Sequence, residues 1–276
     1  MSSTRFRREG EPPPAPEPLR TSAVDSHCHL DLMEASVEEA VSAAVAAGVP
    51  RMVTVGIDVP SSTWCAEVAG RHDALLAAVA LHPNEAPTST LDDFAEIEKL
   101  AALPQVRAIG ETGLDHFRTG EDGRAEQEAS FRRHIDLAKR VGKALVIHDR
   151  DAHDDVLRVL DEEGPPATVV FHCFSGDADF ARRCVDAGYV LSFAGNVTFK
   201  NAANLREAAA ITPGAQLLVE TDAPFLTPMP YRGRPNAPYL IPLTVRAIAE
   251  VQGVDEDTVA AAVTATAERV FGPWSG

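Results

Sequence analysis

ALVIHDRDAHDDVLRVLDEEGPPATVVFH, residues 144–172, reads as a complete strand–helix–strand unit. Residues 144–147 form an uninterrupted apolar run, the pattern of a strand buried on both faces. From Asp151 to Glu162 the apolar residues recur at helical spacing. Gly164-Pro165-Pro166 punctuates the helix end, and a second apolar run follows at 167–172. Two such strands joined by a helix make the parallel crossover unit. Each apolar run leads to a histidine, His148 and His172.

The alternation extends in both directions. Apolar runs at 22–27, 51–56, 75–81, 105–110, 189–193 and 216–220 complete a set of eight strand candidates. Helical patterns separate them, at 36–47, 61–70, 91–103, 124–141, 177–187 and 200–210. Two further helical patterns, 239–251 and 255–270, close the chain. Eight strand–helix units fit a (β/α)8 TIM barrel, which takes about 250 residues. The expected fold is therefore α/β: a TIM barrel with closing C-terminal helices, a single domain over residues 22–276. A doubly wound open sheet is the competing arrangement. The first run is followed by no Gly-x-Gly-x-x-Gly, which counts against its dinucleotide-binding form. Residues 1–21 read as a disordered Pro-rich N-terminal extension, with EPPPAPEP at 11–18 a disordered or polyproline lead-in.

A net charge of −16 argues against a nonspecific basic coat for nucleic acid or an anionic membrane. Cys28, Cys65, Cys173 and Cys184 are widely spaced, so neither a disulfide framework nor a thiolate zinc knuckle is expected. No apolar run is long enough to span a bilayer, and Met1 to Arg20 lacks the apolar core of a secretory signal. The expectation is a soluble, cytoplasmic protein with no membrane partner. The oligomeric state is left open, a monomer included.

In a barrel the active site forms at the carboxyl ends of the strands. His27 and His29 lie there, two residues apart. Residues i and i+2 share a face of a strand, so both imidazoles can aim at one point while Cys28 turns away. Asp25 shares that parity and could hydrogen-bond a ligand from behind. Glu111 follows the fourth run, His148 the fifth, His172 the sixth and Asp222 the eighth. Singly, each could merely cap a strand end. Together, imidazole and carboxylate suit Zn, Mn, Fe or Mg. Six ligands exceed the three protein ligands usual at one open catalytic zinc. Two ions sharing a bridging carboxylate, as in phosphoester hydrolysis, fit better.

The segments HCH (27–29), GETGLD (110–115), HDRDA (148–152), FHCFSG (171–176) and ETDAPFL (220–226) together resemble the TatD family of metal-dependent deoxyribonucleases, from about Val24 to Phe271. The resemblance implies an amidohydrolase-like barrel and two divalent metal ions (Mg, Mn or Zn). It also implies hydrolysis of DNA phosphodiesters, single-stranded or at 3′ ends, by a metal-bound water. Carried over by residue, His27, His29 and Asp222 match the ligands of one ion, and His148 and His172 those of the other. Glu111 matches the bridging carboxylate, and Asp222 the group that handles the proton of the attacking water. Related barrels hydrolyse amides, esters and lactones, so a deacylase, for example of D-aminoacyl-tRNA, is the alternative. A binding protein that keeps the site is a third reading.

His82, Arg150, Arg232 and Arg234 are expected to contact substrate. Arg150 could instead pair with Asp149, Asp151 or Asp154. Glu220 shares parity with Asp222 and is expected behind the ligands or as a buried structural carboxylate. Phe174 and Phe225 are read either as stacking on bases or as packing under loops. His72, His134 and His153 fall in helical segments and are expected to be solvated. His116 and Ala237 depart from the family pattern, leaving the substrate surface around them open.

Overall fold

The strands are β1 (Val24–Cys28), β2 (Arg51–Val55), β3 (Leu75–Val79), β4 (Val106–Asp115), β5 (Ala144–Arg150), β6 (Val169–Phe171), β7 (Val190–Phe193) and β8 (Leu217–Val219). The helices are α1 (Val37–Ala46), α2 (Val59–Ala69), α3 (Leu91–Ala101), α4 (Arg124–Val141), α5 (His153–Glu163), α6 (Ala178–Asp186), α7 (Ala203–Ile211), α8 (Ile241–Gln252) and α9 (Glu256–Phe271). This computed structural model describes residues 10–274. The strands pair in parallel in chain order, β1 to β8. Beyond β8 the ring closes on β1 through Asp222 N–H to His27 O (2.9 Å) and His29 N–H to Ala223 O (2.8 Å). Ser26 Oγ adds a bond to Val219 O at 2.9 Å. The expected TIM barrel is the fold.

Side chains alternate between two apolar layers. Leu145 and Ile147 of β5 pack outward with the helices. Ala144 and Val146 join Val53, Val170, Val190 and Leu218 in the barrel interior. Small and branched side chains fill that space, as the narrow lumen of an eight-stranded barrel demands. Val270, Phe271 and Trp274, from the end of α9 and just beyond, belong to the same interior cluster and plug the lower end. Local chemistry fixes the helix ends. Ser36 and Glu39 form a capping box on α1, Asp58 caps α2, and left-handed Gly142 ends α4.

Two slips in strand pairing set up the site. The β1–β2 register shifts between Asp25 and Cys28, and the β4–β5 register between Ile109 and Thr112. A bulge of this kind re-aims the residues within it. Val24 and Ala108 belong to the interior cluster, so simple alternation would turn His27 and Glu111 outward. The slips bring both into the mouth. β4 was expected to stop near Gly110; it continues, paired with β5, to Asp115. Glycine permits this close passage. A Cβ at Gly110 would meet Val146 Cβ at 2.5 Å, and one at Gly113 would meet His148 O at 2.1 Å.

Two expectations need correction. Of the Pro-rich extension, residues 1–9 lie outside the described residues, but residues 10–21 are an ordered strap, not a disordered lead. Leu19 is buried in the core, and its N–H bonds to Ala47 O at 3.1 Å. Arg234 donates to Glu11 O and Pro12 O, Tyr239 Oη to Pro13 O, and Arg246 to Glu17 O. Side chains far along the chain thus satisfy carbonyls that no helix or strand pairs. His134, expected in solvent, is fully buried on the inner face of α4. No helix of the described residues is long and apolar enough to cross a membrane.

Candidate metal centre

Glu111 stands at the middle of the barrel mouth and is buried. Its two carboxylate oxygens face different neighbours. Oε1 lies 2.6 Å from His148 Nδ1, 2.8 Å from His172 Nε2 and 3.3 Å from His82 Nε2. Oε2 lies 3.4 Å from His27 Nε2 and 3.8 Å from His29 Nε2. Asp222 Oδ1 approaches His29 Nε2 at 3.5 Å and His27 Nε2 at 4.0 Å. Side chains from β1, β4, β5 and the segments after β1, β3, β6 and β8 thus form two lobes that share one carboxylate. Both lobes hold groups of nitrogen and oxygen donors close enough together to ligate one ion: His27, His29 and Asp222, and His27, Glu111 and His172.

The outer nitrogens decide what each ring presents inward. His29 Nδ1 bonds to Val55 O at 2.9 Å. His172 Nδ1 bonds to Glu220 Oε1 at 2.9 Å. His148 Nε2 bonds to Asp115 Oδ2 at 3.2 Å. These partners are acceptors, so each ring donates outward and, when neutral, turns a bare lone pair on the site. His82 is the reverse. Its Nδ1 accepts the Asn84 N–H at 3.1 Å, which leaves an N–H aimed at Glu111. His82 therefore acts as a donor to Glu111 in this arrangement, although it belongs to a possible metal-holding group with Glu111 and His148.

The electrostatics ask for positive charge in both lobes. Burial opposes protonation of His29, yet Asp222 and Glu111 lift its pKa to about 9. Burial likewise opposes protonation of His172, yet Glu111 and Glu220 raise it well above the usual imidazole value. Glu111 is held well below the carboxylate range: burial pushes it up, but His172, His82 and His148 prevail. A cation would take the place of those protons. His27 Nε2 lies only 3.3 Å from His29 Nε2, and buried His27 Nδ1 has no hydrogen-bond partner among the described residues. Two imidazole nitrogens this close, amid carboxylates, suit a shared cation. The donor set fits divalent metal.

The remaining expected residues divide. Glu220 lies behind His172 and also accepts the Cys173 N–H at 2.9 Å. Asp25 does not lie behind an imidazole. Its carboxylate takes Thr221 Oγ1 at 2.6 Å and the backbone N–H groups of Thr221 (2.9 Å) and His27 (3.3 Å), so it pins β1 to the segment after β8. Cys28 is buried in the outer core, away from the imidazoles. Arg150 makes no ion pair among the described residues; its guanidinium stacks on exposed Phe117 at 4.0 Å. Arg232 stacks on Phe199 at 4.3 Å. Arg234 is occupied by the strap. Phe174 is core, packed against Phe180 and Phe193, so base stacking is excluded there. Phe225 turns its ring edge-on to His29 at 6.1 Å. His153 bonds to Asp149 at 2.7 Å and is half-buried rather than solvated. His72 stays near the surface, 3.7 Å from Glu38.

Sequence reading missed Asp115 as the partner of His148, and Phe117. Asp115 stood in a quoted motif, but its role depends on the β4–β5 register that sets Gly113 opposite His148.

A parallel barrel whose mouth gathers histidines around a shared carboxylate defines a hydrolase of the metal-dependent class. The TatD related DNase family matches residues 24–272, and the chain belongs to that family. It is 50% identical over 257 residues to the uncharacterized metal-dependent hydrolase TatD of Mycobacterium tuberculosis, covering 90% of this chain and 97% of that one. It is 40% identical over 250 residues to the uncharacterized metal-dependent hydrolase YabD of Bacillus subtilis, covering 90% and 98%. The crystal structure of YJJV, a TatD homologue from Escherichia coli, superposes with a TM-score of 0.85 at 28% identity, covering 91% and 98%.

Proposed function

We propose that the chain hydrolyses phosphodiester bonds of DNA, preferring single-stranded 3′ ends, with two divalent cations (Mg, Mn or Zn) in the two lobes. The observation that carries this is the division of Glu111: one oxygen toward His148 and His172, the other toward His27 and His29. His27, His29 and Asp222 would hold one ion and His148 and His172 the other, with Glu111 between. When bound, such ions neutralise charge on phosphoryl oxygens and ease the deprotonation of water.

The chain's own groups do the rest. Asp222 is the catalytic acid–base: it takes the proton of the attacking water and returns one to the leaving 3′-oxygen as the P–O bond breaks. Asp115, Glu220 and the Val55 carbonyl hold three imidazoles in fixed tautomers. His82 orients Glu111. Arg150 and Arg232, each laid on a ring and paired with no carboxylate among the described residues, offer phosphate contacts at the rim of an otherwise acidic protein.

The deciding experiment is one assay, with Mg2+ or Mn2+, on single-stranded DNA, mischarged tRNA and small esters side by side. Preferential release of nucleotides from DNA supports the proposal. Faster turnover of aminoacyl-tRNA or of small esters transfers the site to a deacylase or esterase.

A further inference from the structure

The opposite end of the barrel holds a second feature. A cavity of about 520 Å3 opens below the starts of β4 and β5, between the ends of α4 and α9 and the 165–168 loop. Its charged lining is wholly cationic: Arg107, Lys139, Lys143 and Arg269. Among the described residues no acidic side chain lines it. In a chain of net charge −16 this is a local reversal of sign.

Helix ends explain part of the cluster. Lys143 Nζ donates to Ala101 O (2.5 Å) and Leu103 O (2.9 Å), Lys139 Nζ to Glu163 O (2.7 Å), and Arg269 to Ala215 O. Basic side chains near helix C-termini often serve this way. Carbonyl bonds leave the full charges uncompensated, and none of the four cations makes an ion pair among the described residues. The adjacent acids are committed elsewhere, Glu163 to Arg132 and Glu268 to Arg51. Arg107 has no such explanation. It is the second residue of β4, and its Nε is buried without a hydrogen-bond partner among the described residues. Lys143 is held below the ordinary lysine range, by burial first and then by Arg107.

We propose that this cavity binds a small phosphate-bearing anion, with Arg107 and Lys143 as its central contacts. The volume falls within the range of about 300–1,000 Å3 typical of ligand sites. A guanidinium and an ammonium are the usual pair of phosphate donors, one bidentate and one a point charge. Val141, Pro165 and Phe271 supply an apolar wall. The cavity lies at the end of the barrel opposite Glu111, so the anion takes no part in hydrolysis. It would bind β4 and β5 to the end of α9, which plugs the lumen, and so stabilise the closed barrel.

The test is titration of the isotope-labelled full chain with pyrophosphate, followed by amide NMR at constant ionic strength. Inorganic phosphate and a nucleoside monophosphate run as parallel arms. Saturable shifts at Gly142, Thr168 and Gly272 are expected, with affinity at these amides reduced about tenfold or more in Arg107→Gln. Lys139→Gln, on the helix surface, is the second variant and should show a smaller loss. A tighter monophosphate arm assigns the apolar wall to a nucleoside; equal arms assign the site to free phosphate. Absence of saturable shifts there overturns the proposal. So do shifts that sodium chloride reproduces, or that persist unchanged in both variants.

Discussion

Glu220 Oε1 lies 2.9 Å from His172 Nδ1, a fully buried carboxylate bonded to a buried imidazole. The bond turns His172 Nε2 toward Glu111. Removing the carboxylate frees the ring to rotate or change tautomer. Glu220→Ala should therefore weaken Mn2+ binding by about 10- to 100-fold, the usual range for loss of such a partner. Glu220→Gln, which keeps an acceptor for Nδ1–H, should retain most of the affinity. Calorimetric titration with Mn2+ reads both. An unchanged affinity in Glu220→Ala would remove the orienting role.

His82 and His29 both approach Glu111, but the tautomers differ. When neutral, His29 presents a lone pair and His82 an N–H. His29→Gln should lose bound metal, counted by elemental analysis after dialysis. His82→Gln should keep the wild-type count and lose activity. Loss of an ion from His82→Gln would make His82 a ligand.

Arg150 lies two residues beyond His148, stacked on Phe117, a ring 63% exposed. A guanidinium on an exposed ring, with no carboxylate partner among the described residues, suits a nucleotide at the rim. Arg150→Gln should raise KM for single-stranded DNA roughly fivefold, with kcat nearly unchanged. A fall in kcat at constant KM would place Arg150 in the chemical step instead.

His134 gives the fold a pH dependence separate from the site. Nδ1–H donates to Ser130 O at 2.8 Å and Nε2 accepts the Leu81 N–H at 3.1 Å; protonation would leave the first bond and break the second. Burial lowers its pKa from 6.5 to about 4. The unfolded chain gains a proton near pH 6.5 that the folded chain refuses until about pH 4. Stability is thus full above that window, falls as pH drops through it, and levels off below. The loss is roughly 3 kcal/mol. Urea denaturation from pH 7 to pH 4 should show a shallower decline in His134→Gln; an identical decline would refute the assignment.

The barrel was legible because apolar runs and helical periods alternate from residue 22 onward, and the mouth because titratable residues end those runs. What escaped depends on contacts distant in sequence. Strand parity alone would send Glu111 outward; only the slip against β5 brings it in. Asp115 needed that same register. Asp25 and Glu220 both share parity with ligands, but only Glu220 reaches an imidazole, because Asp25 is spent joining β1 to Thr221. Composition made residues 11–18 read as disordered, yet their carbonyls meet Arg234, Tyr239 and Arg246 more than two hundred residues away. His134 lies on a charged helix whose buried face only the tertiary structure reveals.

Release of nucleotides from a 3′-labelled single-stranded DNA, by wild-type and Asp222→Asn protein with Mn2+ and with EDTA, bears most directly on the two-lobed centre. Cleavage by the wild type with Mn2+, none with EDTA, and a loss of about a hundredfold or more in Asp222→Asn is the expected result. Cleavage that survives EDTA, or robust cleavage by Asp222→Asn, would contradict it.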